Sequence, residues 1–163
     1  MAYGYWKNGY ENTRSAFHLF FRRNPYDHPY AIFCGLGTAL DFIESFKFSD
    51  SDISYLKSLR DPSDRKFFSS DFLAYLRDTG MEVTVHAPRE GTVVFPKIPL
   101  LRVEGPIIQC QLLESALLNI INFQTLIATK AARIAEIAGQ DKILEFGLRR
   151  AQCGRGNVQD RVL

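Results

Sequence analysis

The sequence is short of nearly everything that would name a chemistry by motif alone. Its 163 residues hold three cysteines (Cys34, Cys110, Cys153) and three histidines (His18, His28, His86). An odd number of cysteines without paired spacing fits a reducing compartment better than a disulfide scaffold. The histidines share no metal-ligand spacing with them, so no zinc site is expected. Neither a Walker-type GxxxxGK(S/T) nor a GxGxxG occurs, which removes two common phosphate cradles. A formal net charge of +2 leaves no broad electropositive face for a nucleic acid. A compact anion is a different matter, since a few arginines suffice to hold one. No stretch reaches the roughly 18 apolar residues of a membrane span, and Met1-Ala2-Tyr3-Gly4-Tyr5-Trp6-Lys7 lacks the basic-then-apolar order of a signal peptide. The expectation is a soluble cytoplasmic chain.

What the sequence does hold is apolar surface. Apolar residues make up 46% and charged residues 23%, a globular balance that supports a sizeable core. Thirteen phenylalanines and seven tyrosines imply thick sheet and helix packing or a subunit interface, because large rings are costly to leave in water.

The periodicity predicts an α/β chain. Short apolar runs at 16–21 and 30–34 read as strands, separated by Arg22-Arg23-Asn24-Pro25-Tyr26-Asp27-His28-Pro29, a loop because each proline biases its predecessor away from helix. Arg22 and Arg23 are either a solvated strand end or an anion contact. Leu36, Leu40, Ile43 and Phe46 recur at helical spacing over 36–47. Ser51-Asp52 can cap a second short helix, and 67–76 reads as a third. From Glu82 the period changes to two, and turns at Pro88-Arg89-Glu90-Gly91 and Lys97-Ile98-Pro99 predict a small antiparallel or barrel-like sheet. His86 in such a strand reads as a hydrogen-bonded structural residue rather than a base. Residues 109–138 form the dominant helix, with Leu112, Ala116, Leu117, Ile120, Phe123, Ile127, Ala131 and Ile134 on a stripe too broad for a surface helix. Gly139 caps it, and 143–146 has the length of a buried strand.

The run Glu145-Phe146-Gly147-Leu148-Arg149-Arg150-Ala151-Gln152 carries the functional signal. An arginine's planar fork gives two aligned donors to phosphate oxygens, Gly147 permits close backbone approach, and Phe146 offers a face to a planar ring. The spacing suits a ligand with an aromatic half and a phosphorylated half; it equally suits a strand end with an exposed arginine pair. This run resembles the signature of nicotinate phosphoribosyltransferases. The likeness extends to Phe95-Pro96-Lys97-Ile98-Pro99-Leu100-Leu101-Arg102-Val103-Glu104-Gly105-Pro106, to Gln111-Leu112-Leu113-Glu114, to Asn122-Phe123-Gln124-Thr125-Leu126-Ile127-Ala128-Thr129-Lys130-Ala131-Ala132-Arg133, and to Leu19-Phe20-Phe21-Arg22-Arg23-Asn24-Pro25.

The resemblance implies a fold and an activity. The fold is that of the N-terminal α+β domain of a type II phosphoribosyltransferase over 1–138, with the long helix and first strand leading into an incomplete irregular α/β barrel that starts at 139–152, and with 153–163 a divergent tail. The activity is formation of nicotinate mononucleotide and pyrophosphate from nicotinate and phosphoribosyl pyrophosphate in NAD biosynthesis, with ATP hydrolysis coupled and Mg2+ bound with the phosphates. The full-length family implies a homodimer. Phe146 would lie beside the pyridine ring and Arg149 would reach the phosphates, with Glu145, Leu148 and Arg150 as neighbouring pocket residues. None of the three histidines stands where the family's phosphorylated histidine belongs, so no catalytic residue is assigned. The expectation is therefore a chain inactive alone, with poor binding of Mg2+ and ATP; the alternative is a non-catalytic module that associates with a full-length subunit.

Overall fold

The computed structural model describes residues 1–147. In chain order these form α1 (Ala2–Lys7), β1 (Arg14–Leu19), a 3-10 turn (Pro25–Asp27), β2 (Ala31–Ile32), α2 (Leu36–Ser45), α3 (Asp50–Ser58), α4 (Ser70–Asp78), β3 (Thr84–His86), β4 (Val93–Val94), β5 (Leu101–Pro106) and α5 (Ile107–Ala138). The expected α/β class is what forms, with a long helix last and sheets that do not close into a barrel. One sheet is antiparallel in the order β1-β5-β3, and β2 pairs antiparallel with β4 in a second.

Alternation sets the inner face of the larger sheet. Along β5, Leu101, Val103 and Gly105 are buried while Arg102 is exposed. Register brings Leu19 opposite Leu101, Phe17 opposite Val103 and Val85 opposite Val103, so apolar side chains meet on one face. Gly105 is required there: a Cβ would stand 2.8 Å from Val83 Cγ1 and 3.0 Å from the Glu82 carbonyl oxygen. α5 lies across this face and also contacts β2, α1 and α2. Its residues Leu113, Leu117 and Ile121 join Phe33, Leu101 and Val103 in the core.

Several expectations change in detail. The second helix is capped by Ser49, not by Ser51-Asp52: the Ser49 hydroxyl accepts from the Asp52 amide, and Asp52 accepts from the Ser49 amide, a reciprocal capping box. The third helix starts at Ser70 behind a Ser69 cap, which leaves Phe67 and Phe68 in the approach to it.

The apolar stripe assigned to the long helix is largely the wrong face. Of the eight positions expected on it only Leu117 is buried, while Ile127 and Ile134 are exposed. The buried line runs through Leu113, Leu117, Ile121, Thr125 and Thr129. Two threonines lie on it because their hydroxyls are consumed by backbone groups of Ile32 in β2, of Cys34 just after it and of α5 itself, which hydrophobicity does not register. By length and composition α5 is also apolar enough to cross a membrane; core helices of folded domains share that composition, and its buried line packs on strands.

No strand forms at 143–146. The last buried residue of α5 is Thr129, nine positions before the helix ends at Ala138, and a rise of about 1.5 Å per residue carries the chain about 14 Å beyond that contact. Residues 143–146 therefore emerge where neither sheet of the described residues offers an edge to pair with.

Candidate functional site

Gly139 ends α5 at a positive φ of 59, and the chain runs on without regular structure to Gly147. Of the residues expected to line a site, Glu145 and Phe146 lie within the described span; Leu148, Arg149 and Arg150 lie outside it. The Glu145 carboxylate accepts a hydrogen bond from the Gly147 amide. Phe146 is 83% exposed and Leu144 73%, so the Phe146 ring has no opposing wall among the described residues.

Before this segment, the second half of α5 packs against β2 and the residues just after it. Two threonines fasten them. Thr129 Oγ1 accepts from the Ile32 amide at 2.9 Å and donates to the Thr125 carbonyl at 2.6 Å. Thr125 Oγ1 accepts from the Cys34 amide at 3.3 Å and donates to the Cys34 carbonyl at 3.1 Å. Further out, the Tyr30 hydroxyl reaches Glu136 Oε2 at 3.5 Å, and the His28 and Tyr30 rings meet edge to face at 4.3 Å. Residues 30–34 are thus laced to α5 across more than two turns.

At the other end of this seam, Gly35 starts α2 at φ +105. Its amide donates to Glu90 Oε1 at 2.8 Å, and the Gly37 amide does so at 3.3 Å. A carboxylate from the β3–β4 connection thereby occupies the positive end of α2, where free amides would otherwise be left. Cys34 sits beside it, half-buried; burial pushes its thiol up, and the charge of Glu90 adds to the rise. A thiol held protonated is a poor nucleophile. Cys110 is buried and likewise raised, chiefly by desolvation.

His86 is exposed at the outer face of β3, its Nε2 3.9 Å from Glu104 Oε1, and the Arg102 Nε reaches the same oxygen at 2.5 Å. At 3.9 Å the imidazole is beyond hydrogen-bond reach of Glu104, so the hydrogen bond expected for His86 is not made: it stands on an exposed strand face, where solvent takes the place of a partner. Among the described residues, no group of three or more His, Cys, Asp or Glu side chains stands close enough to hold a metal ion.

Comparison with known proteins decides the ancestry. Residues 1–122 match the model of the nicotinate phosphoribosyltransferase N-terminal domain. The chain belongs to the nicotinate phosphoribosyltransferase family. It is similar to a nicotinate phosphoribosyltransferase of Caenorhabditis elegans, with 44% identity over 97% of this chain and 28% of the relative. It is likewise similar to that of Bacillus subtilis, with 47% identity over 93% of this chain and 30% of the relative. The crystal structure of human nicotinic acid phosphoribosyltransferase superposes with a TM-score of 0.84 at 42% identity, covering 96% of this chain and 31% of the human one. A nicotinate-nucleotide pyrophosphorylase from Pyrococcus furiosus shares the fold at 19% identity and a TM-score of 0.68. The chain thus spans under a third of the length of these family relatives.

Sequence reasoning passed over the side chains that organise this ground. Thr125, Thr129 and Glu90 act through hydrogen bonds to amides distant in sequence. The only local signal was Gly35 and Gly37 beside an apolar helix start.

Proposed function

We propose that this chain forms the N-terminal part of a nicotinate phosphoribosyltransferase, which joins nicotinate to phosphoribosyl pyrophosphate and releases nicotinate mononucleotide and pyrophosphate. The observation that carries the reading is the 0.84 TM-score to the human enzyme at 42% identity over 96% of the chain. Phe146 lies beside the pyridine ring and Arg149 holds phosphate oxygens through its fork, with Glu145, Leu148 and Arg150 around them. Their task is to aim the ring nitrogen at the sugar C1 and to meet the charge that develops on the departing pyrophosphate, so orientation and fixed positive charge supply the rate.

ATP hydrolysis drives the family reaction, and Mg2+ accompanies its phosphates. The described residues offer no carboxylate cluster that fits Mg2+, and no step on them runs through it. The location proposed is cytoplasmic and the assembly a homodimer of family-length subunits. Turnover needs surfaces beyond this span, because Phe146 stands open to solvent.

Labelled nicotinate, phosphoribosyl pyrophosphate, ATP and Mg2+ supplied to a family-length protein carrying this segment test the reading. Arg149→Ala should lower kcat/KM by about a hundredfold or more, the loss of one preorganised charge contact, without changing the melting temperature. An unchanged kcat/KM would remove Arg149 from the site. The second reading is a non-catalytic module that docks on a family-length subunit, favoured by the exposure of Ile127, Ile134, Ile137 and Leu144. Association with that subunit, without nucleotide formation by the 163-residue chain, would favour it.

A further inference from the structure

The seam between residues 32–35 and α5 joins two commensurate spacings. Ile32 and Cys34 both turn their amides to the helix, while the Phe33 amide between them donates to the Thr92 carbonyl at 2.9 Å. Two residues of strand span about 6.6–6.8 Å, and the four-residue step from Thr125 to Thr129 rises about 6.0 Å. One hydroxyl per helical turn therefore meets every second amide, and the two segments run antiparallel: Thr129 takes Ile32 and Thr125 takes Cys34. Thr125 closes a second bond to Cys34 by donating to its carbonyl. The helix lies tight against the chain just before this, where a Cβ on Gly35 would stand 3.2 Å from Gln124 Cβ and 3.3 Å from the Ile120 carbonyl oxygen.

Apolar contact alone does not fix a helix so narrowly. Leu113, Leu117 and Ile121 hold the first half of α5 by burial, which is non-directional and resists separation more than sliding or rolling. Hydrogen bonds weaken steeply off axis, so three of them on two successive turns fix both slide and tilt. Thr129 is also the last buried residue of α5. Beyond it the Tyr30 hydroxyl reaches Glu136 Oε2 at 3.5 Å, a long contact, and Ile134 and Ile137 are exposed. The rest of the helix is thus a lever of about 14 Å that carries Gly139 and the residues after it. A tilt of about 5° at the seam moves its far end by about 1 Å.

We propose that Thr125 and Thr129 are positioning residues for phosphoribosyl transfer: by fixing the slide and tilt of α5 against residues 32–34, they set where Phe146 presents its ring. That role rests on the ring contact assigned to Phe146 above. Neither hydroxyl is free to meet a substrate, since both are buried and spent on backbone groups. Their loss acts through geometry, because a misplacement of about 1 Å can cost about a hundredfold in rate. It falls on kcat more than on the KM of phosphoribosyl pyrophosphate: what is lost is the aim of the ring nitrogen at the sugar C1, not a contact to phosphate.

Steady-state kinetics of a family-length protein carrying this segment are the test, with nicotinate, phosphoribosyl pyrophosphate, ATP and Mg2+ at a temperature where circular dichroism shows every variant folded. Thr129→Val should lower kcat about tenfold or more while the KM of phosphoribosyl pyrophosphate stays within about threefold. Thr129→Ser keeps the acceptor and should hold kcat within about twofold of the parent. Thr125→Val loses both bonds to Cys34 and should lower kcat in the same way; it decides the matter if Thr129→Val does not fold. Ile121→Val takes one methylene from the same buried line, so it should lower the melting temperature by a few degrees and leave kcat unchanged. Phe146→Ala in the same assay keeps two failures apart. If it loses rate while the valine variants stay within about twofold of the parent, the ring contact stands and the positioning role falls. If Phe146→Ala is unchanged, the ring contact falls and takes the role with it. A loss that serine fails to avoid, or an equal loss of kcat in Ile121→Val, would also overturn the role.

Discussion

Replacing Thr129 by valine should destabilise the fold, although it makes the buried line of α5 more apolar. Thr129 is fully buried, and its hydroxyl is the acceptor for the Ile32 amide at 2.9 Å. Valine keeps the β-branched shape, so packing and helix propensity change little. What is lost is the acceptor, and a buried amide left without one costs about 1–3 kcal/mol. Thr129→Ser makes the opposite trade: the acceptor stays and one methyl goes, for about 1 kcal/mol. With a urea slope of about 2 kcal/mol per molar, valine should lower the unfolding midpoint by about 1 M and serine by about 0.5 M. Circular dichroism in urea reads both, and amide exchange at Ile32 should accelerate in the valine variant alone. If valine raised the midpoint, or left it above that of serine, α5 would be held by apolar contact alone and the hydrogen-bond argument would fail.

Gly35→Ala should cost more than about 1 kcal/mol, because φ +105 is strained for any side chain and its Cβ would meet Gln124 Cβ at 3.2 Å; an unchanged urea midpoint would contradict this. Ile121→Ala should cost about 2–5 kcal/mol, since Ile121 is fully buried, whereas Ile137→Ala at an 89% exposed position should stay within about 0.5 kcal/mol. Equal losses in thermal melts would mean the two ends of α5 are buried alike. Alkaline pH gives another check. Burial raises the Cys34 and Cys110 thiols above the ordinary 9.0, so their contribution to stability is whole below the unfolded value and is lost as pH rises through the folded one. The melting temperature should fall above about pH 9, and less steeply in Cys34→Ala; identical slopes would argue that Cys34 contributes nothing.

Much of this fold was legible because its signals are local. Period-two alternation over 82–86 and 100–105 reappears as β3 and β5, and the 3.6-residue spacing of Leu36, Leu40 and Ile43 as α2. Caps were less legible. Ser49 and Ser51 are both competent, and only the reciprocal bond with Asp52 chooses between them. The buried line of α5 was misread because an apolar count favours Ile127 and Ile134 over Thr125 and Thr129, and nothing nearby in sequence reveals that Ile32 in β2 and Cys34 just after it present amides to those hydroxyls. A strand at 143–146 has the right composition, but a strand exists only where a partner edge meets it, and a helix running nine positions past its last buried residue takes these residues away from both sheets.

By itself, then, the sequence determined ancestry and class: an α/β chain whose runs at 95–106, 111–114, 122–133 and 145–152 resemble one enzyme family, because such runs are inherited as ordered strings of side chains. Tertiary structure alone decided which side chains work together. It set Thr125 and Thr129 against the β2 segment and Glu90 at the head of α2. Each of those pairings spans dozens of residues, and a hydrogen bond depends on distance in space, which propensity and periodicity do not encode.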